Sequence, residues 1–517
     1  MMHNHTRVKT RKSLLSRMMA SAKEVQSSTS WRGKKQPGGG YVATVPDMGE
    51  WYATTRQTCG QWVFGMNSVA PNFGAKLGVH YFSRQPIGFD PLTWHEMKFI
   101  FNPSVFLLAN PSTGKSTALR KMMEGSIASG TNVIVGGDRK NEHTHLIRLM
   151  GGQVISLGPG RGKINVLDPG GVLDAVNRIN TECEDKNLAR ELTAALLGDM
   201  HARRLSMVMG LIGIFRQNRV SGHESAIIDS VLRWLHRNED IAPILDDVLR
   251  VLRDAPDDVR RIANDWGDMD EYRRIVRPLE NDLVGLTSSG GLGEMFNGHT
   301  TEEIKRDRSV AFDIHSIDEN EREVLSAAYI ATWSASFGMI NVAHALTDAG
   351  LEDGRRYLVI MDEVWQPLAA SPGMVDRLNG ITRLNRDKGV ATAYASHTMA
   401  DLEAIADEAD RNKARGIIAR CGAVMLGGLS REELEDRVSR VTKLKAREIE
   451  LLVSWNTPPS LVDAGEDMPG RGKFLIKVGE APGLPIDVIV TETEKRLGIH
   501  DTDKRMRTNR VTKETAK

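Results

Sequence analysis

The sequence predicts an α/β protein with a mainly parallel sheet, an inserted all-helical domain and a small N-terminal lobe. From Ser104 onwards, short apolar runs bounded by turn residues alternate with helical stretches, which is typical of parallel strands joined by crossover helices. Between Gly171 and about Ile304 this alternation stops, and charged sequence of helical period takes over, as in SAIIDSVLRWLHR. The predicted core strands are SVFLLA (104–109), NVIVGG (132–137), QVISLG (153–158), SVAFDI (309–314), YLVIMDE (357–363), VATAYAS (390–396) and AVMLGG (423–428).

The pattern divides the chain into five segments. A flexible basic arm over 1–40 ends in KKQPGGG, and a small N-terminal lobe follows over 41–103. The core is discontinuous, over 104–171 and 305–455, with the all-helical insertion over 172–304 between its halves. Residues 456–517 carry a predicted hairpin, GKFLIKV and PIDVIV, at the edge of the core and then a basic tail.

Composition excludes several classes of protein. Of 517 residues, 40% are hydrophobic and 26% are charged, as in ordinary soluble globular proteins. Three cysteines, Cys59, Cys183 and Cys421, lie far apart in sequence, which argues against a disulfide framework or a zinc site. No run approaches the roughly 18 to 20 apolar residues of a membrane-spanning helix, and the N-terminus lacks the apolar block of a secretory signal. A cytoplasmic protein is therefore expected.

The net charge of +1 hides basic termini on an acidic body. Residues 1–35 carry nine Lys or Arg against one Glu, a net +8, and residues 504–517 carry six against one, a net +5. Such termini attract nucleic acid or an anionic membrane leaflet. The alternative is a solvated, disordered arm that only favours solubility.

The segment FLLANPSTGKSTALRKM predicts a phosphate-binding loop. An apolar strand leads into a loop of small residues, and good helix formers follow, so backbone N–H groups and the helix N-terminus would face phosphates. Lys115 would reach the β and γ phosphates of ATP, and the Ser116 hydroxyl would ligate Mg²⁺. One departure is Ala109, which stands where G-x-x-x-x-G-K-S/T has its first glycine. The alternative to a phosphate-binding loop is a chance glycine-lysine turn at the start of a helix. The predicted nucleotide-binding residues are Ser112, Thr113, Gly114, Lys115, Ser116 and Thr117.

An acidic pair follows another buried strand. In YLVIMDE, five apolar residues precede Asp362 and Glu363, which places both carboxylates at the carboxyl edge of the sheet, where ligands bind in such folds. Asp362 is predicted to hold Mg²⁺ directly or through water, and Glu363 to polarise the attacking water as the catalytic base. Alone, the pair could equally be an acidic helix cap, because strands often end in one, but its order after the P-loop supports the catalytic interpretation.

Two further roles have candidates. His397, after VATAYAS, either senses the γ phosphate or is a plain surface or capping residue. Ring-forming P-loop motors also need a cation from the neighbouring subunit to neutralise charge in the transition state. Arg383, Arg386 and Lys388 in ITRLNRDKG, and Arg420 before the last core strand, are candidates for this arginine finger, although helical arginines usually face solvent.

The order of the motifs resembles one family. GDRKNEHTHLIRLMGGQVISLG, INVLDPG, the helical insertion, VIMDEVW and ASHTMADL are similar to the TraC-type ATPases of conjugative type IV secretion, especially actinobacterial forms, within the FtsK and HerA superfamily of P-loop motors. The resemblance extends from about Trp51 through KFLIKVGE to about residue 505. It implies a RecA-like core and a hexameric ring with ATP at subunit interfaces.

Carried over by position, the family's motifs fall on named residues. Lys115 and Ser116 match the P-loop, Asp362 and Glu363 the acidic strand, Arg386 with Lys388 the basic motif, and Asp401 the acidic residue after the sensor. Two departures stand out. The family's sensor glutamine is replaced by His397, and the loop after Asp138 has Arg139 and Asn141 in place of the usual proline and glycine. Asp138 is expected either to order the site or to make a simple turn or cap.

Three functions follow as hypotheses. The first is an ATP-hydrolysing motor subunit that energises a conjugative type IV secretion or DNA-transfer apparatus. It would work as a homo-hexamer with membrane proteins of the secretion system, at the inner face of the plasma membrane, and its basic termini would contact DNA or lipid. The second is a DNA translocase or helicase of the FtsK/HerA type, although aromatic residues at 5% argue against a stacking groove for single strands. The third is a nucleotide-binding scaffold that does not hydrolyse ATP.

Overall fold

A computed structural model describes residues 34–35, 41–42, 71–238, 242–288, 290–370, 374–376, 378, 389–405, 407–457 and 469–500. The chain divides into two units, Met1–Ser68 and Val69–Lys517. In the first unit, strands β1 (Lys34–Lys35) and β2 (Tyr41–Val42) pair antiparallel. The fold and the site described below belong to the second unit.

The described part of the second unit contains one sheet of eleven strands, in the order β4-β3-β13-β12-β11-β5-β10-β9-β6-β8-β7. Each of the seven predicted core strands is present, and so is the predicted hairpin, as β12 and β13. The strands are β3 (Lys76–His80), β4 (Pro86–Gly88), β5 (Ser104–Leu108), β6 (Thr131–Asp138), β7 (Gln153–Ser156), β8 (Val310–Asp313), β9 (Arg356–Met361), β10 (Val390–Ser396), β11 (Ala423–Leu426), β12 (Lys473–Lys477) and β13 (Leu484–Val488).

Seven adjacent strands, from β11 to β7, are parallel. Strand β10 lies between β5 and β9 and pairs with both. All residues of β5 and β10 are buried, as expected for strands covered on both faces. Because parallel strands end at the same edge, the loops after β5, β9, β10 and β6 lie on one side of the sheet.

The other strands are antiparallel and extend the sheet beyond β11. The hairpin β12–β13 pairs with β11 on one side and with β3 on the other. Strands β3 and β4 come from the segment expected to form a small N-terminal lobe, and they continue the same sheet. Helix α1 (Pro91–Glu96) follows them and begins at Asp90, whose carboxylate accepts the Thr93 N–H.

Helices cover the sheet and form the long segment between β7 and β8. The 27-residue helix α11 is buried along most of its length, because it packs on β6 and on the segment's longest helix, α5. The helices are α2 (Lys115–Ala128), α3 (Thr144–Leu149), α4 (Val172–Glu182), α5 (Lys186–Arg216), α6 (Gly222–Asn238), α7 (Leu245–Asp254), α8 (Asp257–Ala263), α9 (Met269–Ser288), α10 (Gly290–Phe296), α11 (Arg322–Asp348), α12 (Trp365–Ala370), α13 (Ala400–Glu403), α14 (Glu408–Ala419), α15 (Ala446–Trp455) and α16 (Glu492–Arg496). Of the helices described, none is long and apolar enough to cross a bilayer.

A cluster of charges ties the helical segment to the core. Glu352, after α11, accepts hydrogen bonds from Arg306 at 2.7 Å, Arg355 at 2.5 Å and Arg178 of α4 at 2.8 Å. Hydrogen bonds from Arg306 and the two other guanidinium groups hold the pKa of Glu352 well below its ordinary value, although burial opposes the shift. The carboxylate is therefore ionised at neutral pH and joins three segments that are distant in sequence.

Candidate functional site

The loop after β5 has the backbone of a phosphate cradle. Ser112 has a φ of +66° and Gly114 a φ of +99°, and Gly114 caps the N-terminus of α2. The Thr113 hydroxyl donates to the Asn110 carbonyl oxygen at 2.6 Å, and the Gly472 N–H donates to the Thr113 carbonyl oxygen at 2.8 Å. A Cβ on Gly114 would lie 3.2 Å from the Gly472 nitrogen. The loop thus presents a helix N-terminus and an open backbone, which fits an anionic phosphate.

Ala109 occupies the position of the first glycine in the usual motif and is fully buried. Its methyl group faces the neighbouring strand end at Gly427, where an added Cβ would lie 2.7 Å from that of Ala109. A glycine in the adjacent chain segment therefore makes room for the alanine. The departure from the motif changes packing inside the sheet and leaves the phosphate-facing loop open.

Lys115 and the acidic pair meet at the carboxyl edge of the sheet. The Lys115 ammonium nitrogen lies 3.1 Å from Asp362 Oδ1 and 3.2 Å from Glu363 Oε1. Lys115 is only 5% exposed, and Asp362 and Glu363 directly follow the buried strand β9. The three side chains predicted to share one pocket therefore do so, although 248 residues separate Lys115 from Glu363.

The three groups hold one another in their charged forms. Burial disfavours the ammonium of Lys115, but the attraction of both carboxylates outweighs it and raises the pKa of Lys115. Burial likewise opposes ionisation of Asp362 and Glu363. Lys115 and His143 hold the pKa of Asp362 far below its ordinary value, and His397 and Lys115 lower the pKa of Glu363. At neutral pH the pocket therefore contains two carboxylates and a lysine that neutralises part of their charge.

Three residues that the sequence did not single out also contact the acidic pair. Lys140 Nζ lies 3.3 Å from Glu363 Oε1, and the Trp365 indole N–H donates to Glu363 Oε2 at 2.9 Å. The fully buried His143 has Nε2 3.5 Å from Asp362 Oδ2. Burial disfavours the imidazolium of His143, but the nearby carboxylates outweigh it and raise its pKa. The sequence does contain a signal for these contacts. The polar loop DRKNEH follows a parallel strand, and it therefore lies at the same edge of the sheet as the acidic pair.

Asp138 orders the loop that carries Lys140 and His143. Its carboxylate accepts the backbone N–H groups of Glu142 at 2.9 Å, His143 at 2.7 Å and Thr144 at 2.9 Å. Within the same loop, Asn141 has a φ of +53°, and Arg139 pairs with Glu319 at 2.6 Å. Asp138 thus fixes the first turn of α3 and, through it, the approach of His143 to the acidic pair.

Glu363 itself adopts a strained backbone. Its φ of +53° lies in the left-handed region, which is uncommon for residues other than glycine. Its N–H donates to Asp362 Oδ1 at 3.0 Å, so the turn is held by the neighbouring carboxylate. Such strain in a buried acidic residue is a frequent feature of functional sites.

His397 also contacts Glu363. The His397 Nε2 atom lies 2.7 Å from Glu363 Oε1, closer than either lysine. Asp401 accepts the Thr398 N–H at 2.8 Å and the Ser396 hydroxyl at 3.2 Å, which fixes the turn on both sides of His397. His397, the predicted sensor, therefore contacts the predicted catalytic base.

In the described part of the chain, the other predicted site residues form no hydrogen bond or ion pair with the acidic pair. Ser116 and Thr117 lie half-buried in the first turn of α2, beside Lys115. Arg420 lies at the amino edge of the sheet, opposite the P-loop, where its carbonyl oxygen accepts from Asn102 just before β5. Its role across a subunit interface stays a prediction. The arginine-finger candidate Arg386 lies outside the described residues, as do Arg383 and Lys388.

The residues present fit a nucleotide with Mg²⁺. Within the described ranges, no group of three or more His, Cys, Asp or Glu side chains is placed to hold a metal ion by itself. Mg²⁺ does not need one, because it usually takes one or two carboxylates together with phosphate oxygens and waters. Asp362 and the Ser116 hydroxyl, beside an open phosphate cradle, are donors of the right type.

These features belong to an α/β RecA-like fold, and a solved structure shares that fold. The chain is similar to VirB4 of Thermoanaerobacter pseudethanolicus, with a TM-score of 0.60, 17% identity, and coverage of 83% of this chain and 100% of that one. It is more distantly similar to the plasmid coupling protein TrwB in complex with ADP and Mg²⁺, with a TM-score of 0.45, 12% identity, and coverage of 81% and 90%. No protein-family model matches the chain, and no curated protein matches it significantly.

Proposed function

We propose that this chain is the ATP-hydrolysing motor subunit of a conjugative type IV secretion or DNA-transfer apparatus, of the TraC type found in actinobacteria. The observation that supports this most strongly is the convergence of Lys115, Asp362 and Glu363 on one buried pocket. The motif order that resembles TraC-type ATPases and the fold shared with VirB4 point in the same direction. A scaffold without hydrolysis would have no use for a carboxylate held ionised beside the phosphate loop.

The proposed chemistry assigns a role to each group. Lys115 binds the β and γ phosphates, and Ser116 and Asp362 hold Mg²⁺, which neutralises charge on the phosphate oxygens when it is bound. Glu363 orients the attacking water and accepts its proton. Phosphoryl transfer depends mainly on positioning and charge stabilisation, and the buried pocket strengthens both.

The contacts of Lys115 suggest that ATP binding displaces its ammonium group from the two carboxylates. The Lys115 ammonium group bonds to both carboxylates, so phosphate oxygens must compete with Asp362 and Glu363 for it. When Lys115 moves to the phosphates, Glu363 loses one of the cations around its Oε1 atom and becomes a stronger base. His397, 2.7 Å from the same oxygen, is then placed to respond to the change in charge.

Assembly is proposed from the resemblance alone. Six copies of the 57.2 kDa chain would form a ring with ATP between subunits, and Arg386 or Arg420 would supply the arginine finger. The ring would act peripherally, at the inner face of the plasma membrane, with membrane proteins of the secretion system. The basic termini, net +8 and +5, would contact DNA or anionic lipid.

Phosphate release tests the proposal. Purified protein is assayed with Mg²⁺ and ATP, with and without double-stranded DNA, and its mass is measured by light scattering with nucleotide present. The motor proposal predicts Mg²⁺-dependent turnover with little response to DNA. Strong stimulation by DNA would favour the translocase, whereas ATP binding without turnover would favour the scaffold.

The basic arm has a separate test. Removal of residues 1–35 should leave basal ATP turnover intact, because the groups of the pocket all lie in the second unit. Binding of the shortened protein to DNA and to anionic vesicles, compared with the full chain, then identifies the partner of the arm. Loss of basal turnover would contradict a peripheral role.

A further inference from the structure

A second cavity lies away from the nucleotide site. It has a volume of about 310 Å³ and is bounded by α5, α11, the segment that follows β7 and the segment that leads into β8. No residue of the P-loop or of the acidic pair lines it. Much of its wall is apolar, with contributions from Leu157, Val166, Met207, Phe312 and Met339.

Arg204 of α5 brings an unpartnered charge to this cavity. It lines the cavity and is only 6% exposed, yet it makes no hydrogen bond or ion pair with any residue in the described ranges, and its Nε atom is shielded from solvent. Burial lowers the pKa of Arg204 to about 10, so the guanidinium remains charged at neutral pH. A buried charge without a partner is costly, and buried charges in proteins are normally paired.

The neighbouring charges are already engaged. Asp168 attracts Arg204 from beyond ion-pair distance, but its Oδ1 accepts the Gly170 N–H at 2.8 Å and its Oδ2 accepts the Thr300 hydroxyl. Arg203, which repels Arg204, pairs with Asp199 at 2.9 Å. Asp168, Glu302 and Glu303 also line the cavity, but among the described residues no carboxylate lies within ion-pair distance of Arg204.

A second polar group lines the same cavity. Ser334 of α11 is 6% exposed, and its hydroxyl has no hydrogen-bond partner among the described residues. The guanidinium and this hydroxyl are donors that an anionic head group satisfies. Lys163, half-buried in the wall, adds positive charge, and its ammonium group donates to the Asn297 carbonyl oxygen at 3.5 Å.

We propose that this cavity binds an amphipathic organic anion, with a carboxylate or phosphate head at Arg204 and Ser334 and an apolar body against the aliphatic and aromatic wall. The volume of about 310 Å³ suits a small molecule, since ligand pockets span about 300–1,000 Å³. A bare inorganic anion would leave the apolar wall uncovered. Because the walls come from four chain segments, the ligand joins the helical segment to the core.

Calorimetric titration of the full chain tests the site. The probes are octanoate and octyl phosphate, which share a body and differ in head group, and octylamine, which has the same body and the opposite charge. At least one anion is expected to bind at one molecule per chain and to raise the melting temperature, and the stronger one identifies the head group. The proposal is overturned if neither anion binds, or if octylamine binds as tightly as the stronger anion.

Variants assign the binding to this cavity. Arg204→Met should weaken binding of the anion about tenfold or more, because it removes a charged hydrogen bond, and should not lower the melting temperature of the free protein. Arg190→Met, at an exposed position on the same helix, is the matched control and should change neither value.

A third variant separates the cavity from the P-loop. Ala335→Leu adds volume to the lining while it keeps Arg204, and should also lose the anion. If the anion bound to the P-loop instead, its binding would survive both Arg204→Met and Ala335→Leu. Binding that survives both variants would therefore refute the proposed site. If Arg204→Met does not fold, Ala335→Leu decides alone.

Discussion

Replacing Glu363 by glutamine removes one charge from the candidate site and keeps nearly the same shape. Glu363 Oε1 faces His397 at 2.7 Å, Lys115 at 3.2 Å and Lys140 at 3.3 Å, and Oε2 accepts the Trp365 N–H at 2.9 Å. A glutamine whose oxygen faces the cations must turn its NH₂ group towards the indole N–H, which places two donors face to face. The change therefore costs one hydrogen bond as well as the base.

The expected loss of rate follows from the role of the base. A positioned general base contributes about 10²- to 10⁴-fold, so kcat should fall about 100-fold or more. ATP affinity should be kept, because Lys115, Asp362 and the loop remain. Removing one carboxylate from a buried network should also lower the free energy of unfolding by about 3 kcal/mol.

Steady-state phosphate release and titration with a fluorescent ATP analogue measure these effects, with urea unfolding alongside. Asp313→Asn is the matched control. Asp313 is a buried carboxylate at the end of β8, and it does not contact Lys115 or the acidic pair. Its turnover should stay near that of the wild type. If Glu363→Gln retains a kcat within about tenfold of wild type, Glu363 is not the base.

Three further predictions concern the loop and the fold. Lys115→Ala should abolish binding of the fluorescent ATP analogue, because it removes the ammonium group proposed to bind the β and γ phosphates. Gly114→Ala should weaken nucleotide binding about tenfold or more, since its Cβ would lie 3.2 Å from the Gly472 nitrogen. Gly130→Ala is the control, because Gly130 has a φ of +83° and open space around it, so the change adds only backbone strain of about 1 kcal/mol. Glu352→Gln should lower the free energy of unfolding at pH 7 by about 2 kcal/mol, because three arginines lose their carboxylate. The folded-state pKa of Glu352 is depressed, so its contribution to stability is present above the ordinary pKa of 4.5 and is lost progressively below it. In urea unfolding, the difference in stability between wild type and Glu352→Gln should therefore shrink as the pH falls below 4.5. An unchanged difference would contradict the assignment.

Much of the core could be predicted because its signals are local. The apolar runs of β5, β9 and β10 are bounded by turn residues, so their existence and order followed from short windows of sequence. The convergence of Lys115 with Glu363 followed from one rule, that parallel strands end at a common edge. The antiparallel strands β3 and β4 were not predicted as part of this sheet, since pairing between β3 and β13 joins residues about 400 positions apart.

The sequence by itself determined the phosphate loop, the acidic pair and the alternation of strands and helices, because residue type and spacing along a few turns carry that information. Only the tertiary structure decided that Lys140, His143 and Trp365 join the acidic pair and that Gly427 accommodates Ala109. It also decided that Arg204 is buried without a hydrogen bond or ion pair to any other described residue. These features depend on distances between side chains from separate elements, and such distances are set by packing, which no local pattern records.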